Sequence, residues 1–166
     1  RKTGHESKVY PRFEEKRFNI SKNEVKPMKQ NYNVLEGKDK KEFLKGAEIA
    51  YETILTAFAN GEVKKLKDLL TPTMNSNFSD AIEARNSEKI KSEFTFIGMK
   101  ESSVEKYEKV NDILFATVRF VAEVISVKKD KDDKIIEGNP DKIKFVTDIW
   151  KFTKNIKKNS PNWYLS

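Results

Sequence analysis

The chain reads as an α+β domain in which helices come first and a run of antiparallel strands follows. Apolar residues recur at three- and four-residue spacing from Phe43 to Phe58, and from Glu93 onward the period changes to two. The chain has 166 residues, 37% hydrophobic and 36% charged, enough for one core of ordinary size and not for two. No stretch approaches the ~20 apolar residues of a membrane-spanning helix. The longest, Ile113 to Val127, is interrupted by Arg119 and Glu123 and is rich in β-branched residues, which suits a strand.

Residues 1–38 show no sustained period and mix charges with Pro11, Pro27 and scattered aromatics, the composition of a largely disordered linker. The folded domain is expected over residues 39–166. Asp39 offers an N-cap, and Phe43, Ala47, Ala50, Ile54, Ala57 and Phe58 form one stripe, with Glu48, Glu52 and Thr56 off it. Asn60-Gly61 ends that helix, the glycine supplying a left-handed C-cap. Val63, Leu66, Leu69 and Leu70 give a short second helix. Thr71-Pro72 then starts a third, with the hydroxyl capping and the proline pre-set in the first turn, and Met74, Phe78, Ile82 and Arg85 continue it. Strands are expected at 94–99, 104–110, 114–127, 143–152 and 163–165, with turns at Asn111-Asp112 and at 130–134.

Charge is uneven along the chain. Residues 1–40 carry 11 Lys/Arg against 6 Asp/Glu, so +5 of the net +7 lies in the first quarter. A basic tail of this kind is drawn to a polyanion, with nucleic acid and an anionic lipid surface as the two candidates. The absence of cysteine excludes a disulfide framework, a thiolate nucleophile and thiolate metal sites. The single histidine, His5, falls in the linker, where no rigid shell can hold a general base. Asp130, Asp132 and Asp133 mimic the start of a calcium loop, but Ile135 replaces the turn glycine and Asp141 the closing glutamate, so calcium is rejected. No cofactor or metal is expected.

Asp148 is the one candidate for enzyme chemistry. It shares a strand face with Trp150 and Phe152, and apolar rings beside a carboxylate raise its pKa. The alternatives are pairing with a strand cation such as Arg119, or solvation at the rim. With Tyr51, Phe58, Phe78, Phe120, Trp150 and Phe152, Asp148 would line a hydrophobic pocket between helices and sheet. Both faces of the central strand are largely apolar, so one needs a cover beyond the helices: a second copy, a peptide or a lipid.

Three segments carry a family resemblance: Gly46 to Leu70 (GAEIAYETILTAFANGEVKKLKDLL), Val146 to Phe152 (VTDIWKF) and Pro161 to Leu165 (PNWYL). In order and spacing they resemble the Tim44-like domain over roughly Asp39 to Ser166. That family is named for the peripheral subunit of the mitochondrial inner-membrane import translocase and has bacterial members at the inner membrane. The resemblance implies the cone-shaped cystatin-like fold of nuclear transport factor two, with N-terminal helices packed on a curved antiparallel sheet. It also implies a non-catalytic, membrane-proximal docking domain that binds anionic lipid and a protein partner of translocase or chaperone type. The helix start at 39–45 is similar to the family's membrane-contacting helix: Lys38, Lys40, Lys41 and Lys45 would meet lipid phosphates while Phe43 and Leu44 enter the interface. Arg1 to Glu6 (RKTGHE) is similar to the junction that follows a membrane helix in bacterial members. This implies an anchor absent from this chain and a position on the cytoplasmic side of the inner membrane. Two other classes remain: a small-hydrophobic-ligand protein or isomerase/dehydratase of the cone fold, and an RNA- or ribosome-associated domain. The last requires an exposed aromatic and basic sheet surface, and nucleic acid is not the expected partner.

Overall fold

Helix α1, Gly37–Asn60, is the axis on which the domain is built. In the computed structural model, which describes residues 31–166, Phe43, Ala47, Ala50, Tyr51, Ile54 and Ala57 form its buried stripe. The expectations for His5, the Arg1 to Glu6 junction and most of the linker lie outside the described residues. Asp39 does not cap α1. The chain enters from Glu36 in extended backbone with no side-chain cap bond, and Gly37, at φ +58°, makes the entry two residues earlier. Asp39 instead sits in the first turn, where a carboxylate meets the positive end of the helix dipole. The packed region also begins upstream of the expected boundary. Tyr32 and Leu35 lie against the core, and the Tyr107 hydroxyl donates to the Tyr32 carbonyl at 2.9 Å.

Gly61 closes α1 at φ +71°, its N–H reaching the Ala57 and Phe58 carbonyls. Helix α2, Val63–Lys67, and helix α3, Pro72–Ser87, follow. Thr71 caps α3 through its hydroxyl, which accepts from the Met74 N–H at 3.4 Å, and Pro72 occupies the first turn.

The sheet is antiparallel in the order β1-β2-β4-β5, with β3 also on β2. Strand β1 spans Lys91–Val110, β2 Ile113–Lys129, β3 Ile135–Gly138, β4 Lys144–Asn155 and β5 Tyr164–Leu165. The two strands expected at 94–99 and 104–110 are one strand, because the breaks in alternation between them are bulges. The register shifts at Phe96/Gly98, Met99/Glu101 and Val104/Lys106, and each bulge bends and twists the strand. This is how a 20-residue strand curves along α1. The short β3 is an addition to the expected strands. Gly138, at φ +86°, anchors it to β2, and a Cβ there would stand 2.0 Å from the Ser126 carbonyl oxygen. Pairing at the C-terminus begins at Tyr164, so Pro161 and Trp163 precede the strand; the Trp163 ring is nevertheless buried, 4.8 Å from Phe43.

Strand β2 lies in the middle of the sheet. Its inward residues, Leu114, Ala116, Val118, Phe120, Ala122 and Val124, are no more than 2% exposed. Helices followed by a curved antiparallel sheet wrapped on α1 give the α+β class that the periodicity predicts and the cone that the resemblance implies.

Candidate functional site

One row of the inner sheet face carries two partly buried polar groups. The ladder sets Ser102 of β1 opposite Phe120 of β2, and Phe120 opposite Asp148 of β4. Helix α1 crosses above that row and supplies a partner at each end. The Tyr51 hydroxyl donates to Asp148 Oδ2 at 2.6 Å, and the Ser102 hydroxyl donates to the Glu48 carboxylate. Glu48 and Tyr51 are three residues apart, so both reach down from one side of the helix. Burial, then the bond to Asp148 and its charge, push the Tyr51 phenol well above its ordinary value, so it remains a donor. Asp148 therefore does not pair with Arg119. Arg119 points to the opposite face and binds Glu101 at 3.0 Å, because residues 119 and 148 belong to opposite sides of the pleat.

The aromatic residues expected to line a pocket divide into two groups. Tyr51 packs against Phe120 and Trp150 at centroid distances of 4.5 and 4.6 Å, and Phe120 meets Trp150 at 5.7 Å and Phe152 at 6.3 Å. Tyr51, Phe120 and Phe152 are fully buried, so these rings pack on one another as core, and only Asp148 and Trp150 of this group reach solvent in part. Phe58 and Phe78 stack edge to face at 5.1 Å between α1 and α3, with the Arg85 guanidinium 5.2 Å above Phe58. Arg85 also donates to the Phe58 carbonyl at 2.9 Å, a second donor on an acceptor that the Gly61 N–H reaches at 3.2 Å. The sequence pattern puts Arg85 on the α3 stripe without this role, and it sets Glu48 off the buried stripe of α1. The signal for Glu48 is its three-residue spacing from Tyr51.

The helix start separates the lysines from the apolar residues grouped with them. Lys38, Lys40, Lys41 and Lys45 are exposed. At 3.6 residues per turn, Lys38, Lys41 and Lys45 fall within about 60° of one another and opposite the buried stripe. Phe43 is 2% exposed and holds Trp163 and Phe152 edge to face, so its ring is core and does not enter a membrane interface. Leu44 is half-buried against the same core. Among the described residues no helix is long and apolar enough to cross a membrane.

The outer sheet face has no cover among the described residues. Ile97, Phe145 and Ile149 are 42%, 61% and 62% exposed, and Phe115, Val121 and Ile125 lie half-buried on the same face. Lys100 stands 5.8 Å from the Phe145 ring and Lys151 5.2 Å from Phe115. Carboxylates are interleaved: Glu101 bonds Arg119, and Glu123 lies opposite Phe145 in the ladder.

No curated protein matches the chain. Among solved structures, it is similar to the crystal structure of the intermembrane space region of chloroplast protein ARC6, at 11% identity, 74% coverage of this chain, 92% of that one and a TM-score of 0.48. A family profile, the Tim44-like domain, matches residues 26–166, starting upstream of the similarity read from the sequence and taking in every helix and strand described above. The chain belongs to the Tim44-like domain family.

Proposed function

We propose that this is a non-catalytic docking domain that sits against an anionic membrane surface and holds a protein partner of translocase or chaperone type there. The observation that carries the reading is the lysine group at the start of α1, with Lys38, Lys41 and Lys45 turned away from the core; Lys40 is exposed on a different side of the same turn. Each such cation near an anionic leaflet contributes about 1 kcal/mol. Contact is electrostatic and peripheral, because the aromatic residue in this turn, Phe43, is committed to the core. The setting is the cytoplasmic side of an inner membrane, as the family resemblance implies.

The interior supports docking over turnover. Asp148 is held by Tyr51, whose phenol is kept protonated, and Glu48 is held by Ser102. Among the described residues there is no histidine or cysteine to complete an acid–base pair with either carboxylate. The RNA reading gains the exposed Phe145 ring with Lys100 beside it, but Glu101 occupies Arg119 and Glu123 lies opposite Phe145, so carboxylates interrupt the basic surface that a phosphate backbone needs.

Co-sedimentation with phosphatidylcholine vesicles, with and without phosphatidylserine or cardiolipin, tests the reading. Binding is expected only with the anionic lipid and should weaken as salt shortens the Debye length to ~8 Å. Replacing Lys38, Lys40, Lys41 and Lys45 together with Glu should remove most of it, and Asp148→Asn should leave it intact. Unchanged binding after the fourfold replacement would assign the affinity to residues 1–30 and defeat the role of the helix.

A further inference from the structure

Strand β4 is bonded to β2 along one edge from Lys144 to Asn155. On its other edge β5 covers only Phe152 and Thr153, so among the described residues Lys144 to Lys151 have no strand beside them. Ser166 donates its N–H to the Lys151 carbonyl from that side at 2.9 Å. Backbone groups of alternate residues point to the same edge of a strand, so the N–H and C=O of Phe145, Thr147 and Ile149 also open outward. The same three residues face the outer side of the sheet, and Phe145 and Ile149 are the most exposed large apolar side chains described.

We propose that this edge pairs with the same edge of a second copy of the chain, antiparallel, about a two-fold axis through Thr147. The choice of occupant rests on self-complementarity. Phe145 and Ile149 lie at equal distances on either side of Thr147, so the two-fold axis sets Phe145 opposite the partner's Ile149, Ile149 opposite the partner's Phe145, and Thr147 opposite the partner's Thr147. All the outward N–H and C=O groups of these residues then find partners, since the three pairs are of the doubly bonded kind in an antiparallel ladder. On the inner side Lys144 falls one diagonal step from the partner's Asp148, an opposite-charge contact made twice by symmetry. An axis moved to Asp148 would set that carboxylate against its copy. An axis moved to Val146 would put Phe145 opposite the partner's Thr147 and Ile149 opposite a residue outside the strand. The pairing joins β1, β2 and β4 of each copy into one continuous sheet.

A single shared edge lies at or below the ~1,200 Å² at the small end of stable interfaces, so the dimer is weak and dependent on concentration. Sedimentation equilibrium of the full chain over the micromolar range should show the mass rising from monomer to dimer. Phe145→Asp/Ile149→Asp, which sets acids opposite acids at exposed positions, should stay monomeric throughout while keeping the parent circular dichroism spectrum. The chain has no cysteine, so Thr147→Cys introduces a lone thiol. The paired Cα atoms would stand about 5.5 Å apart, within disulfide range, so mild oxidation should give a covalent dimer. Lys151→Cys, on the same edge and face, should not, because its copies lie eight strand positions apart. A monomer across the whole range overturns the proposal. So does a dimer that survives the double aspartate variant, or a Lys151→Cys variant that cross-links as readily as Thr147→Cys.

Discussion

The two faces of the β2–β4 sheet are made from alternate residues of the same strands, yet they differ in how completely the chain itself finishes them. On the inner face, Phe120 and Phe152 are shut off from solvent by α1 and by the C-terminal segment, and even the polar residues Asp148 and Ser102 have partners on the helix. On the outer face, Phe145 and Ile149 are more than half exposed. Alternating apolar residues give a strand two apolar faces, and which of them the chain covers depends on where the helix and the last strand land.

The sharpest way to break the inner face is to remove its lid. Deleting Pro161 to Ser166 takes away Trp163 and Leu165, 6% and 3% exposed, and uncovers Phe43. Burial losses for a Trp and a Leu sum to about 5 kcal/mol or more, a large part of a domain's total stability. Urea unfolding of the truncated chain should show a collapsed midpoint or no cooperative transition. A midpoint close to that of the parent would make the segment dispensable.

Within the same face, Phe120→Ala should cost about 3–5 kcal/mol, because the ring lies under Tyr51, Trp150 and Phe152 with no route for water to replace it. A loss below about 1 kcal/mol would mean that the interior can collapse around the gap.

Tyr51→Phe is a finer probe. It removes the hydrogen bond to Asp148 while keeping the ring, and a net loss of about 1–2 kcal/mol at neutral pH is expected. The pH dependence gives it a signature. Folding raises the phenol pKa, so this stabilisation is fully present below the unfolded tyrosine value of about 10 and is lost as pH rises above it. The gap between parent and variant should therefore narrow in alkaline solution. A gap constant up to strongly alkaline pH would show that the hydroxyl contributes through packing alone.

Much of the inner face is legible in the sequence because its signals are periodic or local. The Phe43 to Ala57 stripe, the Gly61 stop and the Thr71-Pro72 start each follow from residue chemistry within a turn or two. The interior contacts that depend on two distant elements are not. The strand pattern puts Asp148 on the right face, but its partner comes from α1, 97 residues earlier, and no strand pattern names a helix residue. The periodic stripe puts Phe43 with the core, and only the resemblance makes it a membrane contact. Its burial depends on Trp163, which reaches it only after the whole sheet has turned back on the helix. The unity of β1 is hidden for a related reason, since three bulges break the period-two alternation that would announce one long strand.

The smallest effect belongs to the outer face, and it tests whether that face is truly outside the core. Phe145→Ser and Ile149→Ser change side chains 61% and 62% exposed, with neighbours on one side only. Substitutions at such positions stay within about 0.5 kcal/mol of the parent, so urea midpoints measured at a protein concentration low enough to keep the chain monomeric should hardly move. Phe145 carries one further contact, the Lys100 ammonium 5.8 Å from its ring, worth about 0.5 kcal/mol at an exposed site, so it should be the slightly costlier of the two. At high concentration both should become distinctly destabilising relative to the parent if the edge pairs with a second copy, since the native state then gains its partner by mass action and the variants do not. A loss of several kcal/mol already at low concentration would place these side chains inside the folding core of the monomer, and the distinction between a finished and an unfinished face would fail.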